Sequence, residues 1–278
     1  MKNVLIVGCG YLGKVLAKAY LEQEAQVWAL QRHPIDMPGI TNIIADISKP
    51  LEVILPPVDT IFYLVSAGTS TELAYRQSYI DGLTHLFSIL KRAETAAKII
   101  YVSSTAVYGQ QSGEWVDEIS ITAPTHFSGQ ILLEAEAMVQ AHSAANRIVR
   151  LGGIYGPGRD KLMRDVLAQQ AQRLARPFYT NRIHLQDCVG ILQHVAKKLM
   201  SHPVILGVDC EPVLYNEMIA WMASTLNMPL PPIGDHIPLR LQNSNKRCSN
   251  KLLLSTGYTF QYPTYKEGYQ AMLEDSHL

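Results

Sequence analysis

The spacing of apolar residues switches repeatedly between two periods along this chain. Val4 to Val7 form an unbroken apolar run, and beyond it Leu12, Val15, Leu16 and Ala19 recur every three or four residues. A buried strand followed by an amphipathic helix gives that pattern. The segments "QVWAL", "NIIAD", "DTIFYLV", "KIIYVSS" and "NRIVRLGGIYG" supply second to sixth strands, with helical stretches near 71–95 and 128–145. Strands alternating with helices predict an α/β fold, a doubly wound parallel sheet covered on both faces.

After residue 155 the alternation loosens and proline becomes frequent, in "GPGRD", "ARPFYT" and "NMPLPPIGDHIPL". The expected division is a dinucleotide-binding domain over 1–155 and a smaller substrate lobe over 156–278, which can return a strand or helix to the main domain. No repeat at solenoid spacing is visible.

Composition narrows the function. The 278 residues are 47% hydrophobic and 17% charged, enough apolar content for a large core. The 24 basic side chains balance 24 acidic ones with no run of one sign, which argues against a nucleic-acid or membrane partner and for a small molecule. Cys9, Cys188, Cys210 and Cys248 lie far apart without metal-ligand spacing, so no metal is expected and buried thiols in a reducing compartment are. The first apolar run is too short for a signal or a span. A soluble cytoplasmic protein is inferred.

Chemistry enters at "GCGYLG", where Gly8, Gly10 and Gly13 with Tyr11 and Leu12 join the first strand to the first helix. In G-x-G-x-x-G the first glycine permits the tight turn, the second lets backbone approach a pyrophosphate, and the third lets helix and strand pack closely. The phosphate then meets the positive helix N-terminus. The second strand ends in "WALQRHP", with Gln31 and Arg32 where an acidic residue would hold the ribose of NAD. Arg32 can grip a 2′-phosphate, so NADP is favoured over NAD, unless Arg32 is simply a solvated side chain. Asp46, ending the third strand, can accept from an adenine amino group or serve as a turn aspartate.

Together these residues resemble the extended short-chain dehydrogenase/reductase superfamily, in the form called the NAD-dependent epimerase/dehydratase family. The resemblance rests on "VGCGYLG", "YVSSTAVYG", "RLGGIYGPGR", "NRIHLQDCV", "GVDCEPVLYNEMIAWMASTL" and "PTYKEGYQAML", in order over nearly the whole chain. It implies a Rossmann domain carrying NAD(P), with Ser66 and Ala67 in the cofactor set, and a C-terminal lobe that closes on a substrate, commonly a nucleotide sugar. It also implies a homodimer through two sheet-flanking helices.

The resemblance selects Ser104, with Ser103 as its neighbour, for the hydroxyl that orients a substrate oxygen. It departs at the family's Tyr-x-x-x-Lys pair, because "EISITAPTHFSGQILLEAEAMVQ" holds neither a tyrosine nor a lysine. Aligning Glu134 with the family's glutamate puts His126 in the tyrosine position and Gln130 in the lysine position. His126 can relay a proton near neutral pH, whereas Gln130 can bond a ribose without supplying charge. On the substrate side the resemblance points to Tyr108, Tyr155, Arg159 and Arg182, with Asp187 organising its loop. Trp115 lies in "GQQSGEWVDE", which resembles a substrate-side loop of the family, unless it simply covers apolar surface. Met218, Trp221 and Met222 read as lobe core. Two functions remain: an NADP-dependent oxidoreductase-type enzyme, or a dinucleotide-binding protein that has given up chemistry.

Overall fold

Val4 to Val7 are all buried within strand β1 (Asn3–Val7). This strand belongs to a seven-stranded sheet in the computed structural model, which describes residues 2–198, 200–234 and 245–275. The other strands are β2 (Gln26–Gln31), β3 (Ile40–Ile44), β4 (Thr60–Tyr63), β5 (Lys98–Ser104), β6 (Arg147–Leu151) and β7 (Val204–Gly207). Their spatial order is β3-β2-β1-β4-β5-β6-β7. The pairs β2–β3, β1–β2, β1–β4 and β4–β5 are parallel. The order reverses between β1 and β4, the switch point at which doubly wound sheets open a crevice beyond their strand ends.

Helices α1 (Tyr11–Leu21), α2 (Glu72–Tyr75), α3 (Gly82–Arg92) and α4 (Phe127–His142) belong with this sheet. Between α2 and α3, residues Arg76–Asp81 form a π-helical segment. Its cause lies in the sheet: the Tyr63 hydroxyl donates to the Ser78 carbonyl at 2.5 Å, a side chain drawing on a helix carbonyl. Gly82 makes room for it, since a Cβ there would lie 2.2 Å from that hydroxyl. Helix α4 is tied to the sheet differently. Glu136 accepts from Arg150 Nη2 at 2.6 Å and from the Ser103 hydroxyl at 2.6 Å, all three residues being buried.

The chain forms two compact units, one of residues 1–107, 126–150 and 189–205, the other of 108–125, 151–188 and 206–278. The path between them is interleaved, where the sequence suggested one cut near residue 155. The first unit holds the sheet just described. In the second, short strand pairs join 153–155 with 182–184, 114–116 with 246–248, and 179–180 with 213–214. The remaining helices are α5 (Lys161–Leu167), α6 (Leu185–Lys197), α7 (Tyr215–Thr225), α8 (Lys251–Ser255) and α9 (Tyr265–Asp275). The second unit's core gathers Tyr155, Met163, Met218, Met222, Tyr269 and Met272, with Trp221 packed against it.

Two expectations change. The sixth strand breaks after Leu151, and residues 153–155 join a different sheet. Gly152 sits at the break because a Cβ there would come within 2.9 Å of the Asn181 carbonyl oxygen. Cys9, Cys188 and Cys248 are buried thiols outside any disulfide, but Cys210 is exposed. Of the proline-rich "NMPLPPIGDHIPL", residues 235–239 lie outside the described residues.

Candidate cofactor and substrate site

The three glycines after β1 do three different things. Gly8 adopts φ +86°, and a Cβ on it would strike the Val65 backbone nitrogen at 2.7 Å. The segment after β4, which leads to Ser66 and Ala67, therefore runs directly against this turn. Gly13 faces the Gly8 carbonyl oxygen, which a Cβ would meet at 3.0 Å, so it brings helix and turn close. Gly10 has open space, with nothing within 4 Å of a Cβ.

Gly10 is also the N-cap of α1, without a side chain to bond the first-turn N–H groups, and no acid lies in that turn. A helix end left uncapped, uncharged and roomy is suited to a phosphate. The residues present at this turn thus fit a dinucleotide phosphate.

At the end of β2, the Gln31 side-chain amide donates to the His33 carbonyl at 2.5 Å, and Arg32 follows as an exposed residue. Asp46 accepts at Oδ1 from the Ser48 N–H at 3.0 Å and the Ser48 hydroxyl at 2.7 Å, a turn bond that lowers its pKa, with Arg32 adding a smaller pull in the same direction. Past β4, the Ala67 backbone bonds the Tyr79 phenol, whose pKa burial pushes up to about 12.

The two serines ending β5 separate cleanly. Ser103 is buried and committed to Glu136. The Ser104 Oγ accepts from the Ala106 N–H at 3.2 Å, which leaves its hydroxyl proton to donate elsewhere. His126 is the N-cap of α4, and its Nδ1 accepts from the Ser128 N–H at 3.3 Å while lying 2.8 Å from the Ser128 hydroxyl. That pattern assigns the neutral ring's proton to Nε2. Gln130 lies in the next turn, exposed. The glutamate used for alignment, Glu134, is on the outside and pairs with Arg76 at 3.2 Å. The one that reaches the sheet is Glu136.

In the second unit, Tyr108 and Tyr155 are each 1% exposed. The Tyr108 hydroxyl donates to the Asp117 carbonyl at 2.6 Å and that of Tyr155 to Thr264 at 3.4 Å. Both rings therefore pack the unit's interior. Arg159 is exposed on the "GPGR" turn.

Arg182 is buried on the strand beside Gly153, with its Nε lacking a partner among the described residues. Its electrostatic neighbour is Asp209, whose carboxyl burial drives well above the usual range and whose Oδ2 also lacks a partner among them. His184 is pushed down to about 4 by burial. Asp187 accepts from the Tyr258 hydroxyl at 2.9 Å and from the Gln261 and Tyr262 N–H groups, so it organises residues 258–262.

A family model for the NAD dependent epimerase/dehydratase family matches residues 4–187. The chain belongs to this family. Among solved structures, one from Methylobacillus flagellatus, named with the NAD-dependent epimerase/dehydratases, is 32% identical with a TM-score of 0.83, covering 100% of this chain and 99% of its own. MoeE5, solved with UDP-glucose and NAD, is 20% identical with a TM-score of 0.81, covering 99% and 98%. The human epimerase family protein SDR39U1, solved with NADPH, is 19% identical with a TM-score of 0.80, covering 98% and 99%. At such identities the last two show the fold. No curated protein matches. No helix among the described residues is long and apolar enough to cross a membrane.

Sequence reasoning missed the Ser103–Glu136–Arg150 network, although Glu136 stands on the helix face of Ala135 and Val139, both fully buried. An acid on an apolar stripe is the signal that could have found it. It also missed Asp209, a lone aspartate in "GVDCEP" that nothing in the pattern distinguishes.

Proposed function

We propose that this chain is an NADP-dependent oxidoreductase-type enzyme that acts on a nucleotide-sugar-like or other hydroxyl/carbonyl substrate. The observation that carries the reading is the open N-terminus of α1, with Arg32 rather than an acid ending β2. NADP would lie along Gly8, Gly10, Tyr11, Leu12 and Gly13, with Gln31 and Arg32 toward the 2′-phosphate. Asp46 would face the adenine, Ser66 and Ala67 the cofactor beyond β4, and Gln130 the nicotinamide ribose. The cofactor supplies hydride exchange at its nicotinamide ring. Solved relatives support the class, one carrying UDP-glucose with NAD and another NADPH.

The chain's own residues then have proton and orientation work. The Ser104 hydroxyl donates to a substrate oxygen. His126 Nε2–H donates a hydrogen bond to the reacting oxygen, and His126 in its imidazolium form, or a water held near it, relays the proton, a contribution of about 10²–10⁴-fold for a positioned acid–base group. Arg159 and Arg182 form the substrate side, while Tyr108 and Tyr155 stay in the second unit's interior, and the working state is a symmetric dimer in the cytoplasm.

The test is NADPH against NADH binding by calorimetry, followed by turnover over nucleotide sugars and simple carbonyl compounds. The reading predicts tighter NADPH binding and turnover that Ser104→Ala abolishes; unchanged turnover in Ser104→Ala removes that residue from the site. A second reading, a silent NADP-binding sensor, is favoured by the absence of tyrosine and lysine from the start of α4. NADPH binding with no turnover over the whole panel would select it.

A further inference from the structure

Between the loop after β4 and the start of α4, four rings of the first unit stand in a row. Tyr79, in the π-helical segment, lies 5.4 Å from Tyr75 between ring centres. Tyr75, at the end of α2, meets Phe127 edge-on, 5.5 Å away at an interplanar angle of 89°. Phe127 opens α4, and its ring centre lies 4.2 Å from that of His126. The first two spacings are those at which aromatic rings attract beyond the area they bury.

The row is tied down at its far end. Burial pushes the Tyr79 pKa up to about 12, Tyr75 adds to the rise, and the Ala67 backbone opposes it. A bond that favours the phenolate is one donated to its oxygen, so the Ala67 N–H is the donor. The π-helical turn sets the register for this bond. One extra residue in a turn rotates the residues before it by about 100° relative to α3, and the Tyr63 hydroxyl and Gly82 hold that arrangement from the sheet. A second tie between the same elements, Arg76 to Glu134 at 3.2 Å, joins side chains that are both about half exposed, and such a pair contributes little.

Rings packed in contact lose freedom together. Fixing Ala67 narrows the motion of Tyr79 and, through Tyr75 and Phe127, that of His126, and coupling of this kind is reciprocal. At its other end the imidazole is steered by Ser128, whose hydroxyl lies 2.8 Å from Nδ1. We propose that Tyr79, Tyr75 and Phe127 couple the Ala67 loop to the His126 ring, so that a cofactor seated on the loop also sets the orientation of the proton relay. This deepens the reading above and rests on it for the identity of the ligand and the role of His126. Tyr75 and Tyr79 are positioning residues that act through Ala67 and Phe127.

The experiment changes one end of the row and reads the other, in the intact protein. Without ligand, hydrogen exchange of the Ala67 N–H should quicken about tenfold in Tyr79→Phe, which loses the hydroxyl and keeps the ring. It should quicken about threefold or more in Phe127→Leu and in Tyr75→Leu, neither of which removes the bonded oxygen. The amides of Ile99, Ile100 and Tyr101 in β5 should keep their wild-type exchange, which separates local release from general unfolding. With ligand, the His126 ring proton resonances, assigned by their loss in His126→Ala, are followed on saturation with 2′-phospho-ADP-ribose, the part of NADP without the nicotinamide. They should shift in the wild type and in Arg76→Ala, and by less than about half as much in Tyr75→Leu and Tyr79→Phe. Wild-type Ala67 exchange in both Phe127→Leu and Tyr75→Leu, or a full His126 shift in both Tyr75→Leu and Tyr79→Phe, overturns the coupling. A shift that Arg76→Ala abolishes assigns it to the ion pair and overturns it as well. A wild type that binds neither NADPH nor 2′-phospho-ADP-ribose, while Phe127→Leu still quickens Ala67, instead overturns the dinucleotide reading and leaves the coupling standing.

Discussion

Two helices of the first unit begin in opposite ways. Helix α1 starts at Gly10, with no capping side chain, no acid in its first turn and clear space beside its N-cap. Helix α4 starts at His126, whose ring folds back onto the Ser128 N–H and closes its own end. An uncapped end forgoes about 1 kcal/mol of helix stability; leaving α1 open is a cost that a bound anion can offset, whereas α4 has satisfied itself. On the proposed reading the cofactor belongs at α1, whereas α4 is anchored by Glu136 and carries neither a tyrosine nor a lysine at its start.

The contrast can be broken from its stiffest part downward. Glu136→Ala leaves the Arg150 charge buried without its partner, and urea unfolding should show a loss of about 3–5 kcal/mol. A loss below 1 kcal/mol would mean that α4 is held by apolar packing alone. Gly8→Ala puts a Cβ against the Val65 backbone at a left-handed φ, and should cost about 2–4 kcal/mol of stability together with NADPH binding. Wild-type melting behaviour in that variant would show that the turn relaxes freely.

Smaller effects sharpen the contrast further. Arg32→Glu should lower NADPH affinity about tenfold and leave NADH binding within a factor of about three, as read by calorimetry. An equal loss for both cofactors would assign Arg32 a structural role. His126→Ala removes a cap together with the proposed proton relay, and should lower stability by about 1 kcal/mol and turnover by about 10²–10⁴-fold without altering NADPH affinity. A large loss of cofactor binding there would contradict the view that α4 closes on itself.

The parts of this molecule that sequence made legible are those where one residue type answers one local constraint. The run Val4–Val7 has to be a buried strand, and Gly8 and Gly13 stand where any Cβ would collide. "KIIYVSS" coincides with β5 to the residue. Legibility fails where the constraint comes from a distant segment. The π-helical turn depends on a hydroxyl from β4, the break at Gly152 on the carbonyl of Asn181, and the register of α4 on Arg150 from β6. Glu134 and Glu136 are two residues apart and equally acidic; only the fold shows that one faces Arg76 on the outside and the other reaches the sheet.

The most direct test of the account is NADPH titration of Gly10→Ala by calorimetry, with its melting temperature measured alongside. Gly10 is the one glycine of the three whose Cβ would meet no atom of the described residues within 4 Å, so a loss of cofactor affinity there is read without a packing clash. The account predicts a melting temperature within about 2 °C of wild type and NADPH affinity reduced about tenfold or more. Wild-type affinity in a folded Gly10→Ala protein would contradict it, because the pyrophosphate would then not lie against the open end of α1.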